Sequence, residues 1–334
     1  MSETMEPGLQ ALRTKMDTKV KSFFSSCVHC GICAESCLFY TETLDPRYTP
    51  IYKAEPLRKL WQQEYTFWGK FAKKLGITKP LTEEELASWE TLVYDGCSMC
   101  GRCSMVCPVG VDVAYLIQKV KESVAASGHS PESMVAATRL SVEKGSPMGY
   151  MLPALKAQIK HIEADTGLTV PIDVEGADYM ALLSSMEIIN FPEYIGSLTR
   201  IFHQADVSWT LCSEAFEATN SGLQIADNAI AAQLLERIVA GAEKLKVKNV
   251  ISPECGHAYS AIRWAGPNFL GKPYSFGVIH ILELLDELQK SGRLQTSGMD
   301  TDRLTFHDPC QIVRRGGVEA QPRRLLNSIA ENFV

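Results

Sequence analysis

Cys27, Cys30, Cys33 and Cys37 form one C-x2-C-x2-C-x3-C string, and Cys97, Cys100, Cys103 and Cys107 repeat it. Four thiolates at this spacing suit a cubane iron–sulfur cluster, whose irons take one cysteine each from different directions. Three cysteines on a compact loop wrap three corners, and Gly31 and Gly101 each relax the backbone just after the second cysteine. The fourth cysteine lies too far round to close the same cluster. In tandem strings of this kind it ligates the other one, and Cys107-Pro108 supplies the expected C-P ending. The spacing therefore assigns Cys27, Cys30, Cys33 and Cys107 to one [4Fe–4S] cluster, and Cys97, Cys100, Cys103 and Cys37 to a second. Leu38 stands where the first string would carry proline, which weakens its turn signal but not its ligand count. Structural zinc is the competing metal, but it favours paired CxxC units or Cys/His mixtures at wider spacing. His29 reads as an exposed loop residue rather than a donor to a cluster sulfur.

These loops need a helical frame. Residues 5–24 read as a helix leading into the first string. Lys53–Lys74 reads as another, with Pro56 in its first turn. It interleaves Lys53, Arg58, Lys59, Lys70, Lys73 and Lys74 with Trp61, Tyr65, Phe67, Trp68 and Phe71. The favoured expectation packs those aromatics on the cluster domain with the lysines in water; the sharper alternative is contact with anionic lipid or a membrane partner. Thr82 and Glu85 carry a capping-box pattern that opens the helix toward Cys97, and Val111–Ala126 is a further helix. Residues 1–150 thus read as a helical two-cluster ferredoxin-type domain. From 151 to 334, short apolar runs alternate with longer helical patterns, predicting an α/β cysteine-rich domain with a largely parallel sheet. The expected strands are Tyr179–Met186, Val207–Leu211, Val247–Ile251 and Leu304–Phe306. The expected helices are Ile195–Gln204, Ile225–Leu245, Phe276–Gln289 and one from Pro322. Overall the fold class is α+β and multidomain.

Composition bounds the rest. The chain has 334 residues, a net charge of −6, 46% hydrophobic and 22% charged residues, which is ordinary globular composition. Net negative charge speaks against a nucleic-acid partner. No apolar run is long enough to span a membrane, and the N-terminus has no secretory signature, so a cytoplasmic chain is expected. There the 11 cysteines stay reduced, and an odd number cannot all pair within the chain. Neither a G-x-G-x-x-G string nor a P-loop is present, so electrons must come from a partner.

Three cysteines remain: Cys212, Cys255 and Cys310, each expected at the carboxyl end of a strand, where such sheets collect ligands. A second metal site is the sharp reading and buried inert thiols the plain one. The strings Ser252–Tyr259 (SPECGHAY) and Phe306–Cys310 (FHDPC), behind the two-cluster domain, resemble the heterodisulfide-reductase-D family. The resemblance is strongest to the cytoplasmic iron–sulfur subunit of membrane redox complexes of sulfate reducers and sulfur oxidisers. It runs from about residue 20 to the end.

That resemblance implies a C-terminal site with an unusual third iron–sulfur cluster, at which a disulfide is reduced or a dithiol oxidised. Cys310 matches a leading cysteine of the family's repeat, Cys255 the degenerate end of the preceding one, and Cys212 stands where Cys-Cys-Gly might have been. No Cys-Cys-Gly occurs in the sequence, so a chain incomplete at its C-terminus is expected. The implied catalytic residues are Cys255, Cys310, His257 and His307, the histidines moving protons with the thiols. The implied partners are a membrane haem-b, quinone-reactive subunit and a thiol/disulfide substrate or sulfur-carrier protein, with attachment at the cytoplasmic membrane face. The competing reading is a non-catalytic electron-transfer adaptor holding two clusters.

Overall fold

The computed structural model describes residues 6–253, 255–298 and 303–334. They divide into two compact units: residues through Val135 together with Ile225–Asp227, and the remainder.

In the first unit the expected helix over 5–24 is two helices, α1 (Pro7–Thr14) and α2 (Thr18–Ser26). The break falls at Asp17, whose carboxylate accepts the Val20 N–H at 2.7 Å and so starts a new helix. The Lys53–Lys74 helix also divides, into α3 (Glu55–Tyr65) and α4 (Phe67–Lys74). Thr66 makes this break, its hydroxyl accepting the Gly69 N–H at 3.1 Å. Lys53 belongs to a separate turn, Pro50–Lys53, and is buried. Thr82 accepts the Glu85 N–H at 3.1 Å as its half of a capping box, while the Glu85 carboxylate pairs with Lys59 at 2.8 Å. At the centre lies α5 (Val113–Ala126), whose Leu116, Ile117 and Val120 are buried among Leu12, Leu57 and Leu86.

The second unit has a four-stranded parallel sheet in the order β2-β1-β3-β4, as the alternation of strands and helices predicts. Its strands are β1 (Tyr179–Ala181), β2 (Trp209–Thr210), β3 (Asn249–Ser252) and β4 (Gly277–His280). Helices α6 (Leu152–Thr166), α7 (Glu193–Gln204), α8 (Asn228–Lys244), α9 (Ile281–Lys290) and α10 (Ala320–Ile329) accompany it. Ala181 and Ile251 face a core built with α6, α7 and α9, whereas Met180, Val250 and Val278 face α8. Such alternation is what a sheet covered on both faces requires.

Several expected elements differ, the Ile225–Leu245 helix by starting only at Asn228. Phe276–Gln289 begins as β4 and turns helical only at Ile281, after His280 caps α9. Leu304–Phe306 is no strand of the sheet; Leu304 forms only an isolated bridge to Phe333. A three-residue apolar run satisfies the strand period and a loop equally well. Likewise β1 stops at Ala181, because Ser184 and Glu187 close a full capping box that starts the short helix Ser185–Ile189.

Candidate metal centre

The two cysteine loops share one backbone path. His29 and Met99, each two residues past the first cysteine, both have φ of 54°. Gly31 and Gly101 follow at φ 83° and 77°, each capping a one-turn helix, Ile32–Glu35 and Arg102–Met105. A β-carbon on Gly31 would touch nothing within 4 Å, so glycine is required there by backbone conformation rather than by space. Left-handed His29 and Met99 are uncommon for side-chain-bearing residues, and spacing alone does not announce them.

Each loop contributes to two hollows. One is lined by Cys27, Cys30, Cys33 and Cys107, with Ile51, Val111 and Val113 closing the apolar side. The other is lined by Cys37, Cys97, Cys100 and Cys103, with Leu38, Ala114 and Ile117. The last cysteine of each string thus sits in the hollow of the other string. The thiols also feel one another, mostly within a hollow, although Cys33 of the first acts on Cys103 of the second. Burial pushes the Cys33 thiol up, and Cys27, Cys30 and Cys107 push it further. Burial likewise raises Cys97, and takes Cys103 up to about 12 with help from Cys97 and Cys100. Thiols crowded in apolar surroundings resist ionising unless cationic metal compensates, so this donor set fits iron–sulfur ligation.

Among the described residues, no group of three or more His, Cys, Asp or Glu is placed to hold a single metal ion. A zinc ion would draw four sulfurs to about 2.3 Å from one centre. A cubane instead takes one thiolate on each of four irons.

Lys53, expected in water with the other lysines of its stretch, is instead 1% exposed beside the second hollow. Its amino group donates to the Gly96 carbonyl at 2.6 Å and lies 3.7 Å from the Cys37 sulfur. The rings of Phe39 and Tyr48 flank it, centroids 5.1 and 5.7 Å away. Lys121 is also buried in this unit; burial holds its amino group below the usual lysine range, opposed by the charge of Cys97.

In the second unit, Cys255 follows β3 and Cys212 follows β2, whereas Cys310 ends a loop. The turns at Cys255 and Cys310 meet: Ser260 donates to Gln311 at 3.1 Å, and a β-carbon on Gly256 would lie 2.8 Å from that of Gln311. Cys212 is 1% exposed, and its sulfur would sit 3.0 Å from a β-carbon on Gly241 of α8. Burial raises the thiols of Cys212 and Cys255. At Cys255 the backbone N–H groups of Ala258 and His257 oppose that rise, while Glu187 and Glu217 reinforce it. Both carboxylates escape a reading of the sequence, Glu187 because its Ser184-x-x-Glu187 pattern signals only a helix cap. Glu217 accepts the Ser185 N–H at 3.1 Å and the Thr219 N–H at 3.0 Å. His257 and His307 are exposed.

Fold and site together define an iron–sulfur protein. Residues 24–111 match the 4Fe-4S dicluster domain family. The chain is 28% identical, over 94% of its length, to the Hdr-like menaquinol oxidoreductase iron-sulfur subunit of Archaeoglobus profundus. It is 26% identical, over 97%, to iron-sulfur subunit 2 of the Hdr-like menaquinol oxidoreductase of Archaeoglobus fulgidus. Over 91% it is 25% identical to the D subunit of the dihydromethanophenazine:CoB–CoM heterodisulfide reductase of Methanosarcina barkeri. The chain spans 64%, 67% and 72% of those relatives' own lengths. No solved structure matches it. The chain is therefore an iron–sulfur relative of the heterodisulfide-reductase-D-like proteins. Among the described residues no helix is long and apolar enough to cross a membrane.

Proposed function

We propose that this chain is an electron-carrying oxidoreductase subunit that holds two [4Fe–4S] clusters, one on Cys27, Cys30, Cys33 and Cys107, the other on Cys97, Cys100, Cys103 and Cys37. The observation that carries the reading is the pair of hollows lined by those two crossed sets. When bound, such clusters take up and release single electrons at potentials set by charge, hydrogen bonding and exposure. The protein's part is to gather the thiols where iron would hold them ionised, to keep water from the sulfurs with Ile51, Val111 and Ile117, and to place the Lys53 donor on Cys37.

The partner in this reading is a membrane haem-b, quinone-reactive subunit on the cytoplasmic face. Its support is the naming of relatives as menaquinol oxidoreductase subunits. A thiol/disulfide site around Cys255 and Cys310 is the far terminus. Reducing one disulfide takes two electrons and two protons, and His257, His307 and Glu217 are the proton-carrying side chains around the two turns. Adjacency of those turns supports this assignment.

A two-cluster carrier without that terminus is the second reading, favoured by Cys212, which is buried against Gly241 of α8 as a packing thiol. Iron and sulfide analysis of anaerobically purified protein separates them. About eight irons per chain supports two clusters, and about 12 a third. Colourless, zinc-containing protein overturns both.

A further inference from the structure

An amphipathic surface helix ordinarily turns its large apolar residues inward, and α4 does the reverse. Its inward side is small. A β-carbon on Gly69 would lie 1.8 Å from the Gln62 carbonyl oxygen of α3, and Ala72 is half-buried. Only a bare backbone fits against α3 there, so the bulky residues are forced outward. Phe67 is 76%, Trp68 75% and Phe71 51% exposed, and Leu75 and Ile77 continue the surface at 58% and 71%. The three rings hold one another edge-on, with centroids 5.3 Å apart for Phe67–Trp68 and 6.4 Å for Trp68–Phe71. At about 100° per residue, Phe67, Trp68, Phe71 and Leu75 share one side of the helix. Lys70, Lys73 and Lys74 line its flank.

Charge points to the occupant. Between Glu64 and Glu83 the chain carries Lys70, Lys73, Lys74 and Lys79 and no acidic residue. Most other charges of the Lys53–Lys74 stretch are engaged: Lys53 is buried, Arg58 pairs with Glu55 at 2.5 Å, Lys59 with Glu85 at 2.8 Å, and Lys73 itself reaches Glu64 at 3.5 Å, so Lys70, Lys74 and Lys79 carry the patch's charge. What remains is a patch of tryptophan, phenylalanine and lysine, the composition that settles at the headgroup level of a bilayer. We propose that α4 and the turn through Ile77 form an interfacial anchor for an anionic lipid surface, with Trp68 and Phe71 entering the headgroup–acyl boundary and the lysines on lipid phosphates. The inference rests on the membrane side of the function proposed above and adds a direct lipid contact to it. It also reverses, for Phe67, Trp68 and Phe71, the expectation that the aromatics of this stretch pack on the cluster domain.

Flotation of anaerobic, cluster-loaded protein tests it, using phosphatidylcholine vesicles with and without phosphatidylglycerol and no membrane subunit. The expected result is flotation with the anionic vesicles and much less with the neutral ones. Raising salt to about 1 M, where the screening length shrinks to roughly 3 Å, weakens the anionic preference. The double variant Trp68→Ser/Phe71→Ser lowers the partition coefficient for anionic vesicles roughly tenfold, about 1.4 kcal/mol. The triple variant Lys70→Gln/Lys73→Gln/Lys74→Gln loses the preference for phosphatidylglycerol. An unchanged cluster absorption spectrum shows that each variant is folded. Wild-type protein that stays at the bottom with both vesicle types overturns the proposal, as does flotation unaffected by the double variant. A concentration-dependent dimer that never floats, and that the double variant dissociates, assigns the patch to a second copy instead. Failure to float with electron transfer to the membrane subunit intact removes the lipid contact and leaves the electron-carrying reading standing.

Discussion

The amino group of Lys53 lies 3.7 Å from the sulfur of Cys37, inside a wall of protein that leaves the lysine 1% exposed. A positive donor at that distance favours the more negative, reduced state of any cluster held by Cys37. Lys53→Met keeps the bulk and removes both donor and charge. We expect the potential of the cluster on Cys37 to fall by tens of millivolts while the other stays put, as read by redox titration of the two electron-spin signals. Unchanged potentials would refute the assignment. The Gly96 carbonyl also loses its partner, which costs about 1–3 kcal/mol of stability.

The crossed ligand sets make a sharper demand. Cys107→Ala should abolish the same spectroscopic signal as Cys27→Ala, and Cys37→Ala the same signal as Cys97→Ala. In each case iron falls from about eight to about four per chain, or lower if the remaining cluster is lost with it. Pairing of Cys107 with the Cys97 signal instead would show that each string closes its own cluster.

Cys212 is packed on Gly241 in the α8 face of the sheet, whereas Cys310 is only half-buried. Native protein treated with iodoacetamide should therefore be alkylated at Cys310 well before Cys212, a difference of roughly tenfold or more in rate by peptide mass analysis. Cys212→Ala should leave iron per chain unchanged. A fall in iron would make Cys212 a ligand.

Asp286 of α9 clamps α10 through Arg324, at 2.7 and 2.6 Å, and pairs with Lys290 at 2.7 Å. The Arg324 guanidinium, foremost, holds the Asp286 carboxyl down to about 2. A depressed carboxyl contributes stability that is full above the unfolded value of about 3.9 and is lost as pH falls toward 2. Asp286→Asn should cost about 1–2 kcal/mol at pH 7, the low end because Arg324 and Lys290 stay largely in water. Urea unfolding should show that gap closing between about pH 4 and 2; a constant gap would mean that the charge is irrelevant.

Different parts of the molecule are legible in the sequence to different degrees. The cysteine strings are, because few backbones besides a cluster loop need four thiols in so short a span. The parallel sheet is too, since Met180 and Ala181, or Val250 and Ile251, alternate between two apolar faces. Lys53 is not, because a lysine within a basic, aromatic stretch looks like one more solvated charge until Gly96 and Cys37 are brought round it. Nor is the outward turn of Trp68, which depends on how closely Gly69 meets the Gln62 carbonyl. Leu304–Phe306 fits the strand period yet finds no neighbour in the sheet, since pairing depends on chain segments far away in sequence.

The swap of Cys37 and Cys107 between the two hollows has a consequence for how the protein is made. With clusters held as proposed, each loop would be tied by iron that the other loop also grips, so filling one hollow would order one ligand of the other. Half-filled molecules should then be rarer than independent filling of two hollows would give. A shortage of iron would lower the number of complete copies more than the average load of each copy suggests.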